Sequence, residues 1–138
     1  MKLIEHYEHK EAGYNPFLIR EGWQVAQLNY VEGQGMEDIQ KIDLHSLTDE
    51  VFVLIEGTAV LIAAEKKESE ITYEMISMIK GIVYNIPRGV WHNIAMSRDA
   101  RIIIIEKDNT HLGDCDYYYL DKTQKEELYQ QVAAVLSR

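Results

Sequence analysis

Between residues 15 and 106 the chain alternates apolar and polar positions with a period of two, the signature of half-buried strands rather than helices. Val51, Val53 and Ile55 fall on one face of such a strand, and Glu50, Phe52 and Leu54 on the other. TAVLIAAE follows through Glu56-Gly57, which predicts a hairpin. KKES at 66–69 reads as a charged turn and EITYEMISMI as the returning strand. GIVYNI must end at Pro87, which has no N–H to give a ladder. VWHNIAM and RIIIIEK follow, separated by the turn SRDA, and NPFLIR, GWQVAQLNY and QKIDLH supply further strands upstream. About eight or nine closely spaced short strands with no helix between them predict an antiparallel sandwich or barrel.

The tail changes period. Asp121 with Gln124 three positions on forms a capping-box variant, and Leu128, Val132 and Leu136 then make an i, i+4, i+8 stripe. The spacing predicts one amphipathic helix over 122–136, laid on the barrel or on a partner subunit. With 138 residues and no repeat or linker, the chain reads as one domain, 1–138, with the barrel core over 15–106.

Charge narrows the partners. The net charge of -9, from 14 Lys+Arg against 23 Asp+Glu, disfavours nucleic acid and anionic membrane surfaces, which need a positive field. No helix-turn-helix signature or basic face offsets that total. MKLIEHYEHKE does not read as a secretory leader, and no apolar run approaches membrane-spanning length. A lone cysteine, Cys115, excludes an internal disulfide framework, and a reducing cytoplasm is the expected compartment. Nothing near Cys115 suggests an activated nucleophile.

The stretch GIVYNIPRGVWHNI, residues 81–94, carries the chemistry. It resembles the second motif of the cupin family, GxxxxxPxGxxH, with Gly81, Pro87, Gly89 and His92 in register. HSLTDEVFVLIEG resembles the second half of the first cupin motif, HxxxxExxxxxxG, through His45, Glu50 and Gly57. With Asp43 the two motifs span residues 43–92. The resemblance implies an all-β fold, a single cupin-type jelly-roll barrel with a C-terminal α-helix. It also implies a homodimer paired through its sheets, which apolar outward positions such as Val51, Val53 and Ile55 would suit. Two positions depart from the family pattern: Asp43-Leu44-His45 stands where metal-binding cupins have HxH, and Met96 stands where an asparagine is common.

By this resemblance His45, Glu50 and His92 would ligate a divalent transition metal, with Asp43 in the fourth ligand position. Two neutral histidines and two carboxylates suit Mn, Fe or Zn better than copper. Phe52 and Met96 share strand faces with these residues and are candidate pocket walls. Without a metal, Asp43 and Glu50 would raise one another's pKa, and His45 beside a carboxylate would be a general base, as in sugar epimerases of this fold class. Three functions follow: a metal-dependent enzyme (isomerase, dioxygenase or lyase) acting on a small polar metabolite, a metal-free isomerase or epimerase, and a non-catalytic module for a small ligand. His6 and His9 read as part of a mobile charged terminus, and His111 as a loop residue. Trp91 reads as a packing or interface residue. Tyr117-Tyr118-Tyr119 cannot all face one way, so at least one ring packs the barrel end.

Overall fold

The alternating segments form ten strands among the described residues, 2–138, of a computed structural model of the chain. They are β1 (Gly13–Arg20), β2 (Trp23–Asn29), β3 (Lys41–Leu44), β4 (Glu50–Glu56), β5 (Ala59–Lys67), β6 (Glu70–Ser77), β7 (Val83–Ile86), β8 (Trp91–Met96), β9 (Arg101–Glu106) and β10 (Asp116–Tyr119). A single helical turn, α1 (Thr110–Gly113), precedes β10, and α2 (Lys122–Leu136) closes the chain. The strands pair antiparallel into two five-stranded sheets, ordered β1-β2-β9-β4-β7 and β10-β3-β8-β5-β6, so β4 and β5 lie in different sheets and the hairpin expected through Glu56-Gly57 does not form. Facing each other, the two sheets make a jelly-roll barrel. β10 escaped the sequence reading because three consecutive tyrosines show no alternation.

The barrel core comes from the inward halves of both sheets. Phe52, Leu54, Ile102 and Ile104 meet Leu61, Ile94 and Met96, all buried. The second sheet is covered on its other face too. There Ile42, Val60, Ile62 and Ala95 pack with Leu128 and Val132 of α2. Burial on both faces explains why AVLIAA on β5 is a continuous apolar run instead of an alternating one. On β9 of the first sheet burial alternates instead, with Ile102 and Ile104 buried and Ile105 exposed, although all four residues from 102 to 105 are isoleucine.

Local rules hold the ends together. Gly57 has φ 78°, and a Cβ there would lie 2.5 Å from Ala100 Cα, so only glycine fits this turn. Pro16 lies on β1, an edge strand, where the register slips between Asn15 and Leu18 and no ladder N–H is lost from a central strand. The Asp121 side chain accepts from Gln124 N–H at 2.8 Å, while Gln124 Oε1 accepts from Asp121 N–H at 2.8 Å. The helix therefore lies on its own barrel, with Leu128 fully buried. His9 is equally fixed: its ring bonds Gly13 O at 2.9 Å, and its carbonyl accepts from Gln27 and Asn29. This corrects the expectation of a mobile segment at that residue. No helix among the described residues is long and apolar enough to cross a membrane.

Leu128→Ala should lower stability by about 2–5 kcal/mol, because it opens a cavity between α2 and the second sheet. Asp121→Ala should cost about 1 kcal/mol through the lost cap. Urea unfolding of both variants, read by tryptophan fluorescence, checks the ranking.

Candidate metal centre

Three side chains meet at one end of the barrel cavity. His45 follows β3, Glu50 opens β4, and His92 lies on β8, where its register partner is Asp43 of β3. The Pro87–Gly89 turn is fastened to the His45 loop, since Gly89 N–H donates to His45 O at 2.7 Å. The Asp49 carboxylate accepts from Arg88 N–H at 2.9 Å, tying the same turn to the start of β4. Thus the two sequence motifs are joined by one backbone–backbone bond and one backbone–carboxylate bond.

Each ring has one nitrogen committed to a carbonyl. His45 Nδ1 donates to Asp114 O at 2.5 Å, and His92 Nδ1 donates to Val90 O at 2.9 Å. Carbonyls only accept, so both Nδ1 atoms carry the proton. The Nε2 atoms face Glu50 Oε1, at 3.2 Å from His45 and 2.7 Å from His92. In neutral rings this sets two lone pairs against a carboxylate oxygen. Three acceptors with no donor need either added protons or a cation between them.

In the absence of a cation, protons settle the conflict. Burial opposes charge on His45, but the hydrogen bond and charge of Glu50 outweigh it and push its pKa up to about 9. His92 is raised for the same reasons. Burial likewise opposes charge on Glu50, yet hydrogen bonds from both rings hold it below the usual carboxylate range. These directions correct the metal-free expectation. Glu50 is not raised by Asp43, and at neutral pH His45 would be an acid rather than a base.

The donor set also fits a metal. One ligand atom from each of His45, Glu50 and His92 lies within 4.8 Å of the others. Ligands at ordinary bond lengths around one ion stand about 3.0–3.4 Å apart, so small side-chain shifts suffice. Rings held through Nδ1–H to a carbonyl are the usual support of a metal-binding histidine.

Asp43 lines the same cavity but is not in this cluster. Its carboxylate pairs with Lys41 Nζ at 2.6 Å, so its charge is balanced locally. Phe52 lines the cavity; Met96 does not, being packed into the barrel core beside Ala59, its partner on β5. Trp91 packs on the opposite face of the second sheet, as its strand position implied. Tyr118 packs against that outer core, while Tyr117 and Cys115 line the cavity.

Further residues complete the wall. Glu106 and Tyr14, which carried no expectation, line the cavity, and so does His111, which lies in α1 rather than in a loop as expected; Asp114 holds the His45 loop through its carbonyl and through carboxylate bonds to Ser46 and Leu47 N–H. Burial first, then the charge of Glu50, holds the Glu106 carboxyl well above its ordinary pKa. The signal for Glu106 was present: it continues the inward series Ile102, Ile104 on β9.

No family model matches the chain, and no curated protein does. Solved structures do. A cupin-2 domain containing protein from Shewanella frigidimarina is 24% identical with TM-score 0.50, over 72% of this chain and 84% of that one. A Streptomyces PAC13 variant with uridine has TM-score 0.56 at 8% identity, over 86% and 88% of the two chains. KdgF from Halomonas sp. has TM-score 0.50 at 12% identity, over 76% and 89%. The chain has the cupin fold. Of the quoted motif residues, His45, Glu50 and His92 line the cavity, whereas Gly57 packs against Ala100 beyond the far end of β4.

The raised pKa of His45 ties stability to pH. A group whose pKa rises on folding stabilises fully below its unfolded value of 6.5, and that stabilisation disappears as pH climbs through about 9. Chelator-treated protein should therefore lose melting temperature across this window, and His45→Asn should flatten the slope. Parallel thermal scans from pH 6 to 10 test it; equal slopes for the two proteins would count against the ion pair.

Proposed function

We propose that this cupin barrel binds a divalent transition metal, Mn, Fe or Zn, through His45, Glu50 and His92, and acts enzymatically on a small polar metabolite. One observation carries the reading: both Nε2 atoms and the Glu50 carboxylate converge while both Nδ1 atoms are spent on carbonyls. Two imidazoles and one carboxylate with open positions beside them make a donor set common to these metals. A bound ion would polarise and orient a substrate oxygen. Glu50 would offset one of the ion's two charges, and Asp43, occupied by Lys41, is assigned no ligand role.

The chain's own residues do the rest. A cavity of about 330 Å³ suits a metabolite-sized ligand. Leu28, Phe52, Ile94 and Ile104 give it an apolar wall, and Gln34, Asn93 and Tyr117 add polar edges. Because the fold neighbour PAC13 was solved with uridine, nucleosides belong beside sugars and hydroxy acids in a substrate search. The proposed compartment is the reducing cytoplasm, where the Cys115 thiol stays free.

The same reading includes a homodimer. Val25, Ile105 and Val51 share one cross-strand row on the outer face of the first sheet, and Ile103 with Val53 the next. Ile105 is 39% exposed and Val83 67%, whereas the second sheet's outer face is covered by α2. A second copy would cover the apolar rows.

Elemental analysis of untagged protein should find about one transition ion per chain. His92→Ala and Glu50→Ala should lose it, and Asp43→Ala should keep it. Wild type left metal-free after incubation with Mn, Fe(II) and Zn would refute the metal reading, and a substrate panel without turnover would leave a binding module. Light scattering should give twice the chain mass, falling to the monomer in Ile105→Glu. A monomeric wild type at micromolar concentration would remove the dimer.

A further inference from the structure

The single turn α1 carries His111 and is fastened at both ends. At its start, Asn109 N–H donates to Gln24 Oε1 at 2.8 Å. At its end, Asp114 O accepts from His45 Nδ1, and the Asp114 carboxylate accepts from Ser46 and Leu47 N–H. One end is thus held by β2 and the other by the loop of the metal centre. Between them His111 is exposed and lines the same cavity as His45, Glu50 and His92.

The neighbours of the His111 ring fix its tautomer. A backbone N–H can only donate, so the Gln24 amide oxygen faces Asn109 and its NH2 is turned the other way. That nitrogen stands 3.3 Å from His111 Nδ1 and 2.9 Å from Tyr14 Oη, with the Glu106 carboxyl as a further acceptor. An amide nitrogen does not accept. Whichever acceptors take its two hydrogens, a proton on His111 Nδ1 would meet a donor. Nδ1 therefore keeps its lone pair, and Nε2 carries the hydrogen.

Gln24 is 0% exposed, so Nδ1 points into the protein. The two nitrogens of an imidazole point apart, which turns Nε2–H toward the open side of the ring. Among the described residues nothing accepts from it. Water would satisfy an exposed histidine in either tautomer. A buried glutamine that selects one tautomer, on a turn tied to the metal centre, presents a donor of fixed polarity to the cavity.

We propose that His111 Nε2–H donates to a carbonyl or carboxylate oxygen of the ligand, a small hydroxylated metabolite with another oxygen at the His45/Glu50/His92 centre. This rests on the metal reading above and narrows its substrate class. It adds a specificity-determining residue outside both motifs. A carboxylate is admissible there, because Lys41 balances Asp43, Glu106 takes the Tyr14 hydroxyl proton, and a divalent ion exceeds Glu50 in charge.

Calorimetric titration of zinc-loaded full-length protein tests the assignment, with zinc content and melting temperature measured in parallel. The probes are D-glucuronate for the carboxylate, uridine for neutral carbonyls, and methyl α-D-glucopyranoside, which offers only hydroxyls and ethers. D-glucuronate or uridine should bind wild type, and more tightly than the glucoside. His111→Phe, which keeps a ring but has no donor, should weaken that binding about tenfold with zinc content and melting temperature unchanged. His111→Gln, whose amide nitrogen can reach the Nε2 position, should retain most of it. Unchanged affinity in His111→Phe, equal loss in His111→Gln, or zinc loss from His111→Phe would each overturn the assignment. So would glucoside binding as tight as the better of the other two, or no binding of either by zinc-loaded wild type. A wild type that takes up no zinc overturns the metal reading and this assignment with it, and zinc content tells that outcome from the others.

Discussion

A carboxylate buried among apolar side chains is the constraint on which this cavity depends. Glu50 is 6% exposed, surrounded by a core of Phe52, Ile94 and Ile104, and a bare charge there would be prohibitive. Two imidazoles answer it, each locked by a carbonyl so that its second nitrogen can point only at the carboxylate. Those carbonyls come from Val90 in the PRG turn and Asp114 beyond α1. The turn, the segment after β9 and the start of β4 are therefore shaped around one charge. Whether protons or a metal ion supply the compensation, the same backbone contacts position the donors.

The two sheets solve different problems. The second sheet buries both faces, and α2 supplies its outer cover through Leu128 and Val132. On the first sheet the inward rows are buried, while the outward valines and isoleucines are half-buried or exposed and only Gln27 of the outward rows is buried, beneath the His9 carbonyl. The second sheet is thus closed by the chain's own helix, and the first has no such helical cover. The cavity wall between the sheets combines apolar side chains with two polar groups, the His45/Glu50/His92 cluster and the Tyr14–Glu106 pair, among other polar residues.

Much of this was legible in the sequence, for identifiable physical reasons. Strand pleating has a period of two, so Glu50, Phe52 and Leu54 could be placed on one inward face before any contact was known. The capping box at Asp121 and Gln124 is a local motif and was read correctly for the same reason. His45, Glu50 and His92 stood out through the resemblance of their stretches to the two cupin motifs. Met96 shares its strand face with His92, but face alone could not say how deep along the barrel it would lie, and it belongs to the core.

What the sequence by itself determined was therefore periodicity, facing and capping, since these depend on residues within a few positions of each other. Only the tertiary structure decided the pairings. Lys41 reaches Asp43 and removes it from the cluster; Tyr14 meets Glu106 across 92 positions, and Asp114 O meets His45 across 69. Such contacts depend on how two sheets close and which loop lies over which strand. Linear spacing carries no record of that closure, so the pairing of Tyr14 with Glu106 could be recognised only once the barrel was assembled.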